Sequence, residues 1–291
     1  MCTAIQFRSK DRYFGRTLDY EASFGESVVI TPRNWGRGPH YAMVGMAAVA
    51  EGIPLYYDAV NENGLCMAGL MFAGCAHYPA VEDGKENIAP HEVIPYVLGR
   101  CTDLRDVQVL LERLNIVYRD FNEQLGCAPL HWMIADRNRS AVLEATGELH
   151  FYENPAGVLT NAPAFPEQLA SLNQYEGLSP LSEGLERGKG AVGLPGDWSS
   201  PSRFARAAFL RQHSRCGESE EESVSHFFRL MQAVSVPKGC VRLESGDAYT
   251  RYTCCCNQDQ GIYYYSTYED PRIMAVKLEP HGSELTVFPI K

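Results

Sequence analysis

The sequence predicts an α+β protein made of antiparallel sheets with helix layers outside them. Three observations carry this. Strand-like and helix-like segments come in separate runs instead of strict alternation, which disfavours a parallel β-α-β architecture. From the N-terminus to Leu70 the pattern is mostly that of short apolar or alternating strands broken by turn residues. No stretch rich in Pro, Gly and Ser is long enough to split the chain, so residues 1–291 read as one domain, and an apolar content of 45% supplies a core of that size.

The first two strands form a hairpin. Thr3, Ile5 and Phe7 alternate with Ala4 and Gln6, Ser9 to Arg12 is polar, and Tyr13 to Leu18 resumes the strand pattern. A turn centred on Lys10 and Asp11 sets Cys2 opposite Asp19 on one face. Arg16 then falls on the other face, opposite Ile5, and reaches Cys2 only if the strand bends near Gly15. Val28–Ile30, Ala42–Val49, Leu55–Tyr57 and Leu65–Leu70 follow as strands, the last two separated by the turn residues Glu62-Asn63-Gly64. Helices are expected over Pro90–Leu98 and Asp103–Leu114, the second with Leu104, Val107, Leu110, Leu111 and Leu114 on one face and Thr102 or Asp103 as cap. A second strand block covers His131–Ala135, Ala141–Glu144, His150–Tyr152 and Gly157–Thr160. Gln168–Tyr175, Ser202–Gln212 and Glu221–Val234 read as helices, with Gly184–Asp197 a loop between them. Gly217–Ser223, the one biased segment, reads as a solvated helix entry or a surface loop. Tyr252–Cys256, Gly261–Ser266, Ile273–Leu278 and Leu285–Phe288 close the chain as strands.

The chemistry is concentrated at the start. Cys2 follows the initiator Met, and cytosolic aminopeptidases remove Met before a small residue. The new terminus would carry a thiol and a free α-amine on neighbouring atoms. Such amines titrate at about 7.7–8.0 and free thiols at about 8.5, so the terminus holds a nucleophile and its own base. A carboxylate at Asp19 would hold the amine. The plain alternative is a small buried residue in a first strand.

Other chemistries find no support. A net charge of −10 argues against a general nucleic-acid or anionic-membrane surface. No apolar run is long enough for a transmembrane helix, and no signal-peptide pattern precedes Cys2, so the ten cysteines point to a reducing cytosol and not to a disulfide framework. There is no Cys-x-x-Cys pair, and the adjacent Cys254, Cys255 and Cys256 suit strand packing better than zinc. The eight histidines lack metal-ligand spacing, and neither a glycine-rich phosphate loop nor a Gly-x-Ser-x-Gly elbow occurs. No metal or cofactor is expected.

In order along the chain, MCTAIQF, YFGRTLDY, NENGLCMAGL, HWMIAD, GVLTN, GLPGDWSSPSRF and GIYYYSTYEDP resemble the choloylglycine hydrolase family, the conjugated bile salt hydrolases and penicillin V acylases, which are N-terminal nucleophile hydrolases. The resemblance covers nearly the whole chain and implies a four-layer αββα sandwich. It implies Cys2 as nucleophile, Arg16 and Asp19 as the pair ordering the thiol and amine, Asn161 as the oxyanion-hole side chain and Arg203 as a second arginine near the centre. One position departs: bile salt hydrolases commonly read GLNF where this chain reads GLMF, with Met71 in place of Asn, and penicillin V acylases commonly carry Tyr there. An oxyanion hole can be built from a backbone N–H, which Met71 supplies; if the Asn amide instead holds substrate or a catalytic neighbour, the replacement shifts selectivity or rate.

Each of these has an ordinary reading as well. Arg16 fits a surface strand position, Asp19 a strand end, and Asn161 a turn before Ala162-Pro163. Arg203 follows Ser202 at a helix start, where a cation gains nothing from the dipole, so burial suits it. Arg187 and Lys189 read as solvent-exposed. Leu18, Tyr20, Phe24, Met71 and Phe72 would line an apolar cleft, or serve as core. The substrate implied is an amphipathic amide, a conjugated bile salt, cleaved in the cytoplasm of a gut bacterium by a homotetramer. A penicillin V acylase or related amidase, and a catalytically silent relative, are the alternatives.

Overall fold

Why the chain starts as a hairpin is visible in its burial. Strand β1 (Cys2–Arg8) and strand β2 (Arg12–Tyr20) are buried on both faces except at the turn. The computed structural model describes residues 1–36, 40–180, 190–243 and 245–290. The turn occupies residues 9–11, with the Ser9 amide donating to the Asp11 carbonyl, and the register is Cys2↔Leu18, Ala4↔Arg16 and Ile5↔Gly15. The expected pairing of Cys2 with Asp19 is therefore wrong by one residue. A three-residue connection centred on Lys10 replaces the two-residue turn, and a one-residue slip exchanges the faces. Arg16 now lies on the Cys2 face with no bend near Gly15. The need for glycine there is different: a Cβ would sit 2.0 Å from the Cys254 carbonyl of the neighbouring strand.

Two antiparallel sheets follow. The first has the order β12-β1-β2-β14-β15-β16, with β13 also paired to β14. Its members beyond the hairpin are β12 (Val158–Leu159), β13 (Val241–Leu243), β14 (Gly246–Asn257), β15 (Ile262–Thr267) and β16 (Met274–Lys277). The second has the order β11-β10-β9-β6-β5-β4-β3-β17. It comprises β3 (Glu26–Thr31), β4 (Met43–Ala50), β5 (Ile53–Asn61), β6 (Cys66–Met71), β9 (Leu130–Ala135), β10 (Ser140–Ala145), β11 (Leu149–Glu153) and β17 (Thr286–Pro289). A small parallel pair, β7 (Glu86–Ile88) and β8 (Leu114–Ile116), lies apart.

Alternation along the strands builds two cores. Val28, Ile30, Val44 and Met46 face the first sheet, while Val29, Met43 and Ala47 face away from it. On that far side they meet α1 (Val93–Leu98) and α2 (Leu104–Leu111) through Val93, Val97, Leu104 and Val107. The first sheet is covered by α3 (Phe165–Ser171), α4 (Ser200–His213) and α5 (Glu220–Gln232) through Phe165, Phe204, Val224 and Phe227. The result is the αββα sandwich.

Some expectations shift at the edges. Leu114, expected on the second helix, is the first residue of β8, because α2 ends at Leu111. The Gly217–Ser223 segment is a helix entry: Ser219 and Glu222 form a capping box. It is less solvated than expected, since Glu220 accepts from Tyr13, Tyr264 and Asn257. Cys254, Cys255 and Cys256 are buried strand residues. Arg187, Lys189 and the first part of the Gly184–Asp197 loop lie outside the described residues.

Candidate active site

Cys2 is the first residue of β1 and is 3% exposed. The one-residue register shift brings Arg16 to the same face, and its Nη2 donates to Cys2 Sγ at 2.6 Å. The rest of the guanidinium is fixed by backbone: Nε to the Thr17 carbonyl at 3.1 Å, Nη1 to the Gly69 carbonyl at 2.6 Å and the Tyr57 carbonyl at 3.3 Å. Both of the last two acceptors exist because strand pairing lapses. Tyr57 is the extra residue of a bulge where β5 pairs with β4. The β5–β6 pairing ends at Asp58↔Ala68, which leaves the Gly69 and Met71 end of β6 without a partner on that side. Burial opposes the Arg16 charge, but Cys2, Tyr252 and Asp58 around it outweigh this and raise the guanidinium above its ordinary range.

Asn161 follows β12. Its Oδ1 accepts from the Cys2 backbone nitrogen at 2.8 Å and from Arg203 Nη2 at 2.7 Å, and its Nδ2 donates to the Met71 carbonyl at 2.7 Å. The two partners of Oδ1 can only donate and the partner of Nδ2 can only accept, so the carboxamide has one possible orientation. One Nδ2 hydrogen remains unused. In a strand, a residue's N–H and C=O share an edge, so the Met71 N–H faces the same side as its carbonyl.

Arg203 enters from the first turn of α4. Beside its bond to Asn161, Nη1 donates to the Cys2 carbonyl and to Thr3 Oγ1, the latter at 2.7 Å. Burial pulls it below the ordinary guanidinium range, and Asp19 and Cys2 only partly offset that. Asp19 is on the opposite face of β2 from Cys2. Its carboxylate accepts from Thr250 Oγ1 at 2.6 Å and Thr17 Oγ1 at 3.3 Å, beside a second bulge between Thr250 and Tyr252. Its link to the chain start is through backbone: the Asp19 amide donates to the Met1 carbonyl at 2.9 Å, and the Met1 amine donates to the Asp19 carbonyl at 2.5 Å. The expected contact of the Asp19 carboxylate on the Cys2 face is therefore corrected to a charge beside Arg203.

Of these groups, Cys2, Arg16 and Met71 open on a cavity of about 440 Å³, within the ~300–1,000 Å³ usual for small-molecule sites. Leu18, Tyr20, Phe24 and Met71 line it with Cys2 and Arg16, and its described lining carries no carboxylate. Phe72 does not line it: the ring is fully buried and stacked on His131, 4.2 Å between centroids. Neighbouring residues of a strand face opposite sides, so with Met71 turned to the cavity Phe72 turns away from it. The rest of the wall comes largely from the segment 121–129, which carries neither a strand nor a helix period. Its turn is built by the Asn122 side chain accepting from the Gln124 and Leu125 amides, and by Asp120 accepting from Cys127 N. The Phe72 amide ties it to β6 through the Pro129 carbonyl at 2.7 Å. The surplus of Asx residues and Gly126 was the available signal.

Residues 2–286 match the family described as linear amide C–N hydrolases, choloylglycine hydrolase family. The chain is 44% identical to the bile salt hydrolase/transferase of Lactiplantibacillus plantarum, over 100% of this chain and 97% of the relative. It is 35% identical to that of Clostridium perfringens, over 99% and 96%. In structure it resembles a variant of the conjugated bile acid hydrolase from Clostridium perfringens, with a TM-score of 0.92 and 32% identity over 100% of this chain and 97% of the other. The penicillin V acylase from Agrobacterium tumefaciens shares the fold, with a TM-score of 0.78 at 21% identity over 98% and 90%.

Proposed function

The chain belongs to the choloylglycine hydrolase family of linear amide C–N hydrolases, and from that premise we propose that it hydrolyses glycine- or taurine-conjugated bile salts with Cys2 as nucleophile. The observation that carries the reading is the bonded row Arg16–Cys2–Asn161–Met71, of which Arg16, Cys2 and Met71 line an apolar cavity.

The steps follow from the placement. Removal of Met1 turns the Cys2 nitrogen, already bonded to Asn161 Oδ1, into a free α-amine. That amine takes the thiol proton. Arg16 Nη2 holds the charge on Sγ, and the sulfur adds to the substrate carbonyl. The unused Nδ2 hydrogen of Asn161 and the Met71 N–H receive the oxyanion. Collapse breaks the C–N bond, and the ammonium returns its proton to the leaving amine. Water, deprotonated by the same amine, then splits the thioester. Arg203 acts one step back, fixing Asn161 and the Cys2 carbonyl, with Asp19 as the charge beside it. Arg16 is the charged side chain on the cavity wall and no described carboxylate opposes it, which suits a substrate with an anionic tail despite the net charge of −10. The reading carries with it a cytoplasmic enzyme of a gut bacterium, assembled as a homotetramer.

Parallel assay of tauro-conjugates, glyco-conjugates and penicillin V on protein whose intact mass shows Met1 removed is the test. Release of taurine or glycine is expected. Release of 6-aminopenicillanic acid alone assigns the acylase reaction instead, and no turnover by Met1-free protein identifies a silent family member.

A further inference from the structure

His131 and Glu144 form a buried pair that the reaction above does not use. They sit opposite one another where the β9–β10 register runs on past Leu143↔Trp132, and their side chains are 0% and 1% exposed. His131 Nδ1 is 3.0 Å from Glu144 Oε1, and Nε2 is 2.8 Å from the Thr160 carbonyl. The Thr160 carbonyl can only accept, so Nε2 carries a hydrogen. Glu144 Oε1 also accepts the Phe165 amide at 3.0 Å, which marks it as an acceptor toward the ring too. Nε2 thus holds the Thr160 carbonyl while Nδ1 is fixed against the Glu144 carboxyl group. Glu144 Oε2 is buried with no partner among the described residues. Orphaned buried oxygens are uncommon, and this one is tolerated where the placement of Oε1 is what matters.

The ring touches one backbone carbonyl and one side chain, from two segments. Thr160 is the residue before Asn161. Phe72, stacked on the imidazole at 4.2 Å and 5°, is the residue after Met71. Asn161 Nδ2 and the Met71 carbonyl meet at 2.7 Å, so the two oxyanion donors belong to segments that a single side chain clamps together across the two sheets. We infer that His131, held in place by Glu144, is a positioning residue that sets the spacing of Asn161 and Met71. This rests on the proposed amide hydrolysis and adds to it a residue that touches no substrate.

Glu144→Gln keeps shape and volume. The oxygen of the introduced carboxamide still accepts from Phe165 and from Nδ1, and a neutral ring then has no hydrogen left for Thr160. His131→Phe combined with Glu144→Gln keeps the stack on Phe72 and removes the donor altogether. Misplacing reacting groups by about 1 Å can slow a reaction about 100-fold. Both variants should lower kcat about 10- to 100-fold while KM stays within about threefold. The rate of Cys2 alkylation, followed on the N-terminal peptide, should stay within about twofold, because Arg16 and Cys2 are untouched. A kcat within about twofold of wild type in a variant that folds overturns the inference. So does alkylation that changes in proportion to kcat, which would mean a generally loosened fold. If the double variant does not fold, Glu144→Gln alone decides. If Met1-free wild type turns over nothing, the amidase reading has failed, and the Asn161 side-chain amide resonances then test the clamp. Unchanged resonances in Glu144→Gln overturn it.

Discussion

Asn161 shows what a single side chain contributes here. Its carboxamide satisfies two donors and one acceptor at 2.7 to 2.8 Å and keeps one hydrogen in reserve. Asn161→Ala should lower kcat about 100- to 1,000-fold, the usual effect of losing one oxyanion donor. Met71→Ala should leave kcat within about threefold, since the groups that matter at Met71 are its carbonyl and N–H, and should change chiefly KM because the side chain lines the cavity. Steady-state kinetics on both variants check the pair; an equal fall in kcat would assign catalysis to the Met71 side chain. At this scale the sequence was partly legible. Cys2 stood out through its place beside the initiator Met. Arg16 was put on the wrong face because a turn's residue count, and not strand pattern, decides register. Phe72 was misplaced because it was set on the same face as its neighbour Met71, against strand alternation.

Elements were read better than their interruptions. Nearly every strand and helix has a sequence pattern behind it, whereas the two bulges beside the site, at Tyr57 and at Arg251, have none. β7 and β8 are too short to show a period. The start of α4 was read two residues late, at Ser202 instead of Ser200, and it matters because its first turn presents Arg203. Ser199 caps the helix by accepting from the Ser202 amide. The Asp197 carboxylate accepts from the Ser199 amide at 2.9 Å and Ser202 Oγ at 2.7 Å. These bonds hold Asp197 down at about 2, against about 3.9 for an unperturbed Asp. A folded value below the unfolded one means stability present above about pH 4 and lost as pH falls toward 2. Asp197 is exposed, so the effect is modest. Asp197→Ala should melt below wild type at about pH 6 and converge with it near pH 2, in thermal melts run across that range. Parallel curves with a constant gap would show that the carboxylate's charge plays no part.

Across the whole molecule, the sandwich is joined at its centre by charge as well as by apolar packing. Arg16 on the first sheet is buried with no carboxylate among its hydrogen-bond acceptors. Asp58 on β5 of the second sheet is the acid that helps keep it charged. Asp58 in turn accepts from Tyr252 Oη at 2.5 Å, Tyr263 Oη at 2.7 Å and Cys254 Sγ at 3.3 Å, all from the first sheet. Three donors and no acceptor suit a carboxylate. Burial nonetheless pushes the Asp58 carboxyl up, with Arg16 and the tyrosines opposing. Removing one charge of a buried set strands the other, which typically destabilises by about 3–5 kcal/mol, and here it also leaves two tyrosine hydroxyls without an acceptor. Asp58→Ala should therefore lower stability by about that amount in denaturant unfolding, although Asp58 is not itself among the residues lining the cavity. Asp58→Asn separates the two contributions. It keeps one acceptor for the tyrosines but not the charge, so a loss close to that of Asp58→Ala assigns the effect to the Arg16 charge. A loss below about 1 kcal/mol in Asp58→Ala, the scale of a single ordinary hydrogen bond, would mean that backbone carbonyls alone, Gly69 and Tyr57 foremost, suffice to keep a guanidinium charged between the sheets.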